Sequence, residues 1–325
     1  MFLNIVIHLA AAFVLTVVLG FFLLPALRKL KAAQVEREEG LESHKKKTGT
    51  PTMGGIMFLL AFAALTIPEA MKYRASIPVI IATLGFGAVG FIDDFIKVVM
   101  KRNLGLRAWQ KLALQLVVSL ATIWAVSAFT EVTFEVLIPF SSLFTPDGVG
   151  IYANLGVFTV PFLIFVLLGT TNGSNFTDGL DGLLSSVTIV ISIFLAYISA
   201  KLAINVTMAS IVMVGALLGF LVYNHHPAKV FMGDTGSLAL GAFAATSMIM
   251  MKMPLFILFA GVIYFAEVLS VIIQVLYFKA TKGKRFFKMA PIHHHFELLG
   301  WSENKVVTVF TIVTVVGCFL AVLLV

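Results

Sequence analysis

The sequence predicts an all-α, polytopic integral membrane protein with about ten transmembrane helices, and three observations support this fold class. Of the 325 residues, 60% are hydrophobic and only 12% are charged, a balance that a soluble domain could not bury. The apolar residues are grouped in runs of about 20, the length that an α-helix needs to cross a bilayer. Basic residues are concentrated in alternate connections between these runs, as expected of loops on one side of a membrane.

Ten apolar segments are long enough to be predicted as spans. They cover residues 2–24, 54–71, 77–97, 112–130, 156–171, 183–200, 205–223, 237–251, 254–278 and 306–325. The first segment has neither a basic start nor a cleavage site of small residues, so we expect a retained helix rather than a signal peptide. Residues 1–325 show no internal repeat and are expected to form one transmembrane domain.

The distribution of basic residues predicts the side of the membrane that each connection occupies. The connections 25–53, 97–111, 172–182, 224–236 and 279–305 contain 19 of the 23 Lys and Arg residues. Because cytoplasmic loops carry an excess of basic residues, these connections are expected in the cytoplasm and both termini outside. The single cysteine, Cys318, excludes a disulfide or a multi-cysteine metal site within one chain.

Four segments on the predicted cytoplasmic side carry carboxylates, amides and imidazoles. They contribute Asp93 and Asp94 at the end of the third span, Asp178 and Asp181 in TNGSNFTDGLDGLLSS, Asp234 in YNHHPAKVFMGDTGSLALG, and His293, His294 and His295 in MAPIHHHFELLGW. A charge at the bilayer centre costs about 2.5–3.5 kcal/mol, so these acids are expected where the spans meet the cytoplasm. The topology alone therefore gathers four distant segments at one membrane face.

Each of these features also has an ordinary structural interpretation when it is taken singly. Asp93 has Lys97 four residues later, the spacing of a helical ion pair at the membrane interface. The sequence DGLDG is typical of a turn, and Asp234 is placed to cap the eighth span. Lysines 45–47 are typical of a solvated cluster. The convergence of all these segments on one face is what favours a functional site.

Several carboxylates close together favour a hard divalent cation with oxygen ligands, and Mg²⁺ commonly binds one or two carboxylates plus substrate phosphates. The glycines beside the acids allow backbone amides to approach phosphate oxygens. Lys47, Lys97 and Lys111 add positive potential for an anionic substrate, and Phe231 offers an aromatic face for a base. The pattern predicts phosphoryl transfer at a membrane surface to a lipid-borne acceptor.

At these residues the sequence resembles the polyprenyl-phosphate N-acetylhexosamine-1-phosphate transferase superfamily, and within it the muramoyl-pentapeptide branch. The matching segments are SHKKKTGTPTMGG (43–55), DDFIKVV (93–99), NGSNFTDGLDGL (172–183), NHHPAKVFMGDTGSLALG (224–241) and PIHHHFELLGW (291–301). The aspartate motifs are shared across the superfamily, whereas the triple histidine and TPTMGG indicate the muramoyl-pentapeptide branch. The segments extend over nearly the whole chain in the family's order.

The resemblance implies an Mg²⁺-dependent homodimer in the bacterial plasma membrane, with its active site on the cytoplasmic face. It implies transfer of phospho-MurNAc-pentapeptide from UDP-MurNAc-pentapeptide to undecaprenyl phosphate, which gives lipid I and UMP in peptidoglycan synthesis. It implies ten spans with both termini outside, which agrees with the distribution of basic residues. The partners that it implies are these two substrates and the lipid bilayer, with no nucleic acid.

The resemblance also implies roles for individual residues. Catalytic roles are implied for Asp93, Asp94, Asp178, Asp181, Asp234, Lys111 and His293. Substrate-binding roles are implied for Lys47, Thr52, Asn172, Asn175, Asp181, Asn224, Phe231, Gln274 and His294. Asp234 is the implied Mg²⁺ ligand, and one member of the Asp93–Asp94 pair is the implied base.

Several alternatives remain open from the sequence. The donor phosphate could be attacked directly by the lipid phosphate, or through a phospho-aspartate intermediate. A sister transferase that uses UDP-N-acetylglucosamine is the nearest alternative function, and PIHHHF argues against it. An ion-coupled transporter would carry acids near the midplane and often inverted repeats. Only Glu267 lies well inside a span, and it is interpreted as a buried partner within the bundle.

Overall fold

The structure is a computed structural model that describes residues 2–30, 49–100, 105–145 and 150–324. Lys47, a predicted substrate-binding residue, lies outside these ranges. The helices are α1 (Phe2–Lys29), α2 (Gly55–Lys72), α3 (Ile77–Val99), α4 (Ala108–Phe129), α5 (Thr159–Thr177), α6 (Leu183–Lys201), α7 (Thr207–Asn224), α8 (Gly233–Met250), α9 (Ile257–Ala260), α10 (Val262–Ala280), α11 (Ile292–Glu297) and α12 (Glu303–Leu323). Two short antiparallel strands, β1 (Glu135–Leu137) and β2 (Tyr152–Asn154), form a hairpin between α4 and α5.

The predicted all-α membrane fold is confirmed. Within the described ranges, nine helices are long and apolar enough to cross a membrane. The eighth predicted span forms α8, which has 18 residues but a more polar composition, rich in Gly, Ala, Ser and Thr. Every residue of α8 from Thr235 to Met250 is buried. Because neighbouring helices surround α8, it has no need of the apolar surface that lipid-facing helices present.

The fifth predicted span, 156–171, ends too early. Helix α5 continues through Asn172 and Asn175 to Thr177, so these amides lie on a helix rather than in a loop. The Asn172 Nδ2 donates to the Leu168 carbonyl at 2.8 Å and to the Gln115 Oε1 at 3.1 Å. Polar side chains that find partners inside a bundle do not need to reach water, which is why the helix extends beyond its apolar part.

The ninth predicted span, 254–278, is interrupted in the structure. A 3₁₀ turn at Pro254–Phe256 leads into α9, and Gly261 separates α9 from α10. Gly173 of α5 packs against Tyr264 near the start of α10, where an added Cβ would lie 2.8 Å from the Tyr264 carbonyl oxygen. The second half of α10 is largely exposed, because it continues beyond the helices that cover its first half.

Both ends of the described chain lie at the same end of the bundle as the hairpin. Helices α1 and α7 run side by side, with the Leu9 and Phe13 carbonyls against Gly215 and Gly219 respectively. The hairpin is joined to the residues after α8 by a 2.8 Å hydrogen bond from the Leu137 N–H to the Lys252 carbonyl. An 18-residue helix is about 27 Å long, so α8 separates the hairpin from the opposite end of the bundle.

Glycines allow α2 and α3 to approach the start of α8 closely. A Cβ on Gly90 of α3 would lie 2.0 Å from the Asp234 carbonyl oxygen. A Cβ on Gly55 of α2 would lie 2.4 Å from the Gly236 backbone nitrogen. Real Cβ atoms do not approach backbone atoms this closely, so these positions require glycine if the three helices are to meet at Asp234.

We expect Gly90→Ala to lower the free energy of unfolding by about 1–3 kcal/mol, because the added methyl group forces α3 away from α8. Gly169→Ala is the matched control, since Gly169 is an exposed α5 residue with no atom within 4 Å of an added Cβ. Alanine favours a helix over glycine by about 1 kcal/mol, so the control should keep or gain stability. Thermal unfolding in detergent measures both; equal stability of the two variants would contradict this packing.

Candidate active site

Three carboxylates meet at the end of the bundle opposite the hairpin. Asp93 and Asp94 lie on the last turns of α3, and Asp234 lies in the first turn of α8. One carboxylate oxygen from each residue lies within 4.8 Å of the others. Asp93 and Asp94 are each only 3% exposed. Two segments 140 residues apart therefore build one acidic cluster, as the topology predicted.

Asp94 is directed at the start of α8. Its Oδ1 accepts a hydrogen bond from the Asp234 backbone N–H at 3.2 Å. Its Oδ2 accepts from the Thr235 backbone N–H at 2.9 Å and from the Thr235 hydroxyl at 2.7 Å. The first N–H groups of a helix lack partners within the helix and attract negative charge. Asp94 therefore caps α8 from a neighbouring helix and positions Asp234.

Asp93 is rotated about 100° from Asp94 around the axis of α3, so it makes a different set of contacts. Its Oδ1 accepts from the Leu106 backbone N–H at 2.6 Å. Its Oδ2 contacts the Lys97 ammonium at 2.6 Å, which is the ion pair that the four-residue spacing predicted. Asp93 therefore joins α3 to the segment before α4 and keeps one oxygen on a cation.

Asp234 is surrounded by hydrogen-bond donors. Its Oδ2 lies 3.0 Å from the Lys97 ammonium and 2.8 Å from the Lys111 ammonium. Its Oδ1 accepts from the Asn175 Nδ2 at 2.8 Å. The structure thus brings Lys111 and Asn175, both singled out from the sequence, to the same carboxylate.

The segment before α2 closes this cluster. The Phe231 N–H donates to the Pro51 carbonyl, and the Gly54 N–H donates to the Phe231 carbonyl, at 2.8 and 2.9 Å. Gly233 adopts a left-handed φ of 73°, and a Cβ there would lie 2.7 Å from the Thr52 hydroxyl. Thr52 and Phe231 therefore lie beside Asp234, where the sequence placed them in one site.

The donor set fits a divalent cation. Three carboxylates within 4.8 Å supply the hard oxygen ligands that Mg²⁺ prefers. Two ammonium groups approach the cluster to within 2.6–3.0 Å, which shows that its potential attracts cations. Asp234 contacts both lysines from the edge of the cluster and is the only one of the three acids that is partly exposed. Asp234 is thus the carboxylate of the cluster that is most open to a substrate.

Asp178 lies in the turn that follows α5, partly buried. Burial raises its pKa well above the usual range, and the Asp234 and Asp94 carboxylates raise it further, while a hydrogen bond with the Gly233 backbone acts in the opposite direction. The folded protein therefore holds a proton on Asp178 at pH values where the unfolded chain has lost it.

Because the folded state binds more protons than the unfolded state, Asp178 makes the free energy of unfolding fall as the pH rises above about 4. We expect Asp178→Asn, which cannot ionise, to be more stable than wild type at pH 7. The difference should become small near pH 4, where Asp178 is protonated in the folded state and about half protonated in the unfolded chain. Thermal unfolding from pH 4 to pH 8 measures this; a stability gap that is independent of pH would contradict it.

Asp181 belongs to a second polar cluster. The His226 Nδ1 lies 3.0 Å from the Asp181 Oδ2 and 3.1 Å from the Glu303 Oε2. The Asp181 N–H donates to the Glu303 Oε1, and the Ala228 N–H donates to the Asp181 Oδ2, both at 2.9 Å. These contacts join the turn after α5, the loop before α8 and the start of α12. The donor atoms lie close enough together to suit a cation as well.

The remaining predicted residues anchor the loops around the two clusters. Asn224 is buried, accepts from the Ser185 hydroxyl at 3.2 Å and donates to the Val230 carbonyl at 3.0 Å. The Gln274 Oε1 accepts from the Phe287 backbone N–H at 2.9 Å, so it holds the loop that follows α10. The His294 Nδ1 contacts the Glu297 carboxylate at 2.8 Å.

Some residues of the site were missed in the site prediction from sequence. Lys97 was considered only as an interface ion pair and a source of positive potential, yet it contacts both Asp93 and Asp234. Its four-residue spacing from Asp93 was the available signal. His226 and Glu303 gave no local signal, because their meeting depends on how α7 and α12 pack.

Comparison with known proteins agrees with this geometry. The family model described as Glycosyl transferase family 4 matches residues 76–252, a range that contains Asp93, Asp94, Asp234 and Asp181. The phospho-N-acetylmuramoyl-pentapeptide-transferase of Clostridium botulinum (strain Eklund 17B / Type B) is 47% identical over 314 residues, covering 96% of this chain and 94% of that protein. The protein of the same name from Clostridium perfringens (strain 13 / Type A) is 46% identical and covers 98% of both chains.

A third relative of that name, from Acetivibrio thermocellus, is 48% identical over 311 residues, covering 95% of this chain and 92% of the relative. This level of identity extends over nearly the full length of both chains. The chain therefore belongs to the phospho-N-acetylmuramoyl-pentapeptide-transferase family.

Proposed function

We propose that this membrane-embedded phosphoglycosyl transferase transfers phospho-MurNAc-pentapeptide from UDP-MurNAc-pentapeptide to undecaprenyl phosphate, which gives lipid I and UMP. One observation supports this most directly: Asp93, Asp94 and Asp234 meet with two lysines at one end of an apolar helical bundle. A site at the end of a membrane bundle can be reached both by a soluble anionic donor from the water and by a lipid-anchored acceptor from the bilayer. The names of the full-length relatives support the same donor sugar.

We propose Asp234 as the residue that would hold Mg²⁺, with Asp93 beside it. When bound, the metal would supply positive charge that stabilises the negative charge developing as the phosphoanhydride bond to UMP breaks. Lys97 and Lys111 contact Asp234 directly and so flank the same position. Their ammonium groups bind and orient the diphosphate oxygens as the substrate arrives.

Asp93 is the better candidate for the base. Asp94 uses both oxygens to accept three hydrogen bonds from Asp234 and Thr235, so its lone pairs are committed to α8. The Asp93 carboxylate, by contrast, contacts the flexible ammonium of Lys97 and the Asp234 carboxylate, both of which belong to the cluster that would receive the substrate phosphates. In direct attack, an oxygen of undecaprenyl phosphate forms the new P–O bond, UMP leaves, and Asp93 accepts the acceptor's last proton. That task is modest, because the second pKa of a phosphate monoester is about 6.

We propose that the nucleoside lies between the two clusters. Asp181 and Phe231 flank this region, and Asn224 holds the loop that carries Phe231. The excess of basic residues in the connections at this end of the bundle supports a site on the cytoplasmic face of the bacterial plasma membrane, where we expect a homodimer. His293 and His294 lie on α11, which is at the same end of the bundle.

The proposed face can be tested by cysteine labelling, because the native Cys318 is buried and contributes little background. We expect Lys229→Cys, beside the polar clusters, to react with a membrane-impermeant maleimide only from the cytoplasmic side. Arg74→Cys, at the hairpin end, should react only from outside. Both positions are exposed in the structure. Labelling of both from the same side would contradict the proposed orientation.

The proposed activity is tested by UMP release from purified protein in detergent with undecaprenyl phosphate and Mg²⁺. We expect UMP from UDP-MurNAc-pentapeptide but not from UDP-N-acetylglucosamine, and loss of release with a chelator that added Mg²⁺ restores. A stoichiometric burst of UMP from the donor alone would instead indicate a phospho-aspartate route. If neither donor releases UMP, the proposed function is wrong.

A further inference from the structure

Glu267 and His293 form a buried pair that the proposed mechanism does not yet use. Glu267 of α10 is 0% exposed and His293 of α11 is 1% exposed. The His293 Nδ1 lies 3.0 Å from the Glu267 Oε1. Since a carboxylate only accepts hydrogen bonds, the proton between them belongs to the Nδ1 atom. Glu267 therefore fixes both the orientation of the imidazole ring and the position of one ring proton.

Each partner keeps one buried atom without a hydrogen bond. Among the described residues, the Glu267 Oε2 and the His293 Nε2 are both buried and find no partner. An unsatisfied buried polar atom costs about 1–3 kcal/mol, and native proteins keep few of them. A pair retained for stability alone would be expected to use these atoms. The pair therefore lowers stability relative to an apolar replacement and requires another explanation.

The free edge of the imidazole faces the acidic turn after α5. A Cβ on Gly179 would lie 2.1 Å from the His293 Nε2 and 2.5 Å from its Cε1. Gly179 stands between Asp178 and Asp181, and Asp181 belongs to the cluster with His226 and Glu303. The other histidines are engaged elsewhere: the His294 Nδ1 contacts Glu297, and the His295 Nδ1 accepts from the Lys288 N–H. His293 therefore packs directly against this turn.

We propose that Glu267 is a positioning residue for the transferase reaction, acting through His293 on the turn that carries Asp178 and Asp181. The carboxylate holds the imidazole, the imidazole edge supports the backbone at Gly179, and the turn sets the two aspartates against the donor. This inference rests on the proposed function and assigns a role to an acid inside α10 that contacts neither acidic cluster. Glycine at position 179 is what lets the ring approach the backbone so closely.

If Glu267 is a positioning residue, its substitution should lower activity without lowering stability. Glu267→Gln keeps the size of the side chain and an oxygen acceptor but removes the buried charge, so stability should stay the same or rise. For metal-ligating histidines, loss of the carboxylate that orients the ring costs about 10–100-fold, and we take the same range for the orienting role of Glu267. We therefore expect kcat for UMP release to fall by that factor, while KM for UDP-MurNAc-pentapeptide changes less than about twofold.

Double variants test whether the effect passes through His293. If Glu267 acts through the ring, Glu267→Gln should lower kcat no further in a His293→Gln background. Gly179→Ala displaces the ring from the opposite side without altering charge, and it should reproduce the kcat loss and also be non-additive with Glu267→Gln. Glu69→Gln is the matched control, since Glu69 also pairs with a histidine, His8, at 3.7 Å, but far from the site.

The experiment is UMP-release kinetics and thermal unfolding of these variants in detergent beside the wild-type protein. The expected result is a kcat loss without a stability loss for Glu267→Gln, non-additivity with His293→Gln, and wild-type kinetics for Glu69→Gln. Wild-type kcat in Glu267→Gln, multiplied losses in the double variant, or a kcat loss that follows a loss of stability would each overturn the proposal. Failure of the wild-type protein to release UMP would instead refute the proposed function.

Discussion

Asp234→Asn is expected to lower the rate of UMP release by about three orders of magnitude or more while the protein stays folded. Asp234 contacts Lys97, Lys111 and Asn175, and it is the proposed Mg²⁺ ligand. Loss of its charge would remove the metal ligand and leave two ammonium groups without their shared carboxylate. A thousandfold loss corresponds to about 4 kcal/mol of transition-state stabilisation, in the range of metal and oxyanion contributions.

The Asp234→Asn measurement is initial-rate UMP release with both substrates saturating, accompanied by thermal unfolding. Asparagine retains an oxygen that accepts from Asn175, and the α8 contacts of Asp94 involve only the backbone of residue 234, so stability should change little. The matched control is Glu135→Gln. Glu135 lies in the hairpin, far from the cluster, and pairs with Lys252. An Asp234→Asn enzyme with more than about a tenth of wild-type activity would exclude Asp234 as the metal ligand.

Asp94→Ala is expected to lower activity and stability together, unlike Asp234→Asn. The substitution leaves three donors on Asp234 and Thr235 without an acceptor in a buried site. Each unsatisfied buried donor costs about 1–3 kcal/mol, so the free energy of unfolding should fall by about 3 kcal/mol or more. The start of α8 would then shift, and UMP release should fall at least about a hundredfold.

Thermal unfolding and UMP release of Asp93→Ala and Asp94→Ala, measured side by side, separate the two acids. Asp93 has a single backbone donor, at Leu106, so its removal should cost less stability than the removal of Asp94. Both variants should lose activity. A smaller stability loss for Asp94→Ala than for Asp93→Ala would show that the cap on α8 is not what Asp94 contributes.

The membrane fold and the gathering of the acids were predictable because they follow from apolar length and from the alternation of basic connections. These patterns are local, and they place Asp93, Asp94 and Asp234 at one end of the bundle without any knowledge of packing. The helical state of Asn172 and Asn175 was not predictable from apolar pattern alone. Their side chains are satisfied by Gln115 and by Asp234, contacts that exist only once α4, α5 and α8 have assembled.

The different contacts of the adjacent residues Asp93 and Asp94 could not be predicted from the sequence either. A helix turns about 100° per residue, so the sequence indicates that Asp93 and Asp94 diverge but not which one faces α8. Gly90 settles this, because it brings α3 against the Asp234 backbone on the side where Asp94 projects. Similarly, the meeting of His226 with Glu303 requires the packing of α12 against the turn after α5.

The central claim is that the cluster built by α3 and α8 binds a divalent cation on the donor diphosphate. Electron paramagnetic resonance with Mn²⁺ in place of Mg²⁺ tests it, on full-length protein in detergent with UDP-MurNAc-pentapeptide. We predict one bound Mn²⁺ per chain that shows ³¹P coupling to the donor, lost in Asp234→Asn and kept in Glu303→Gln. Bound Mn²⁺ that survives Asp234→Asn but disappears in Glu303→Gln would place the cation at the Asp181 cluster and contradict this account.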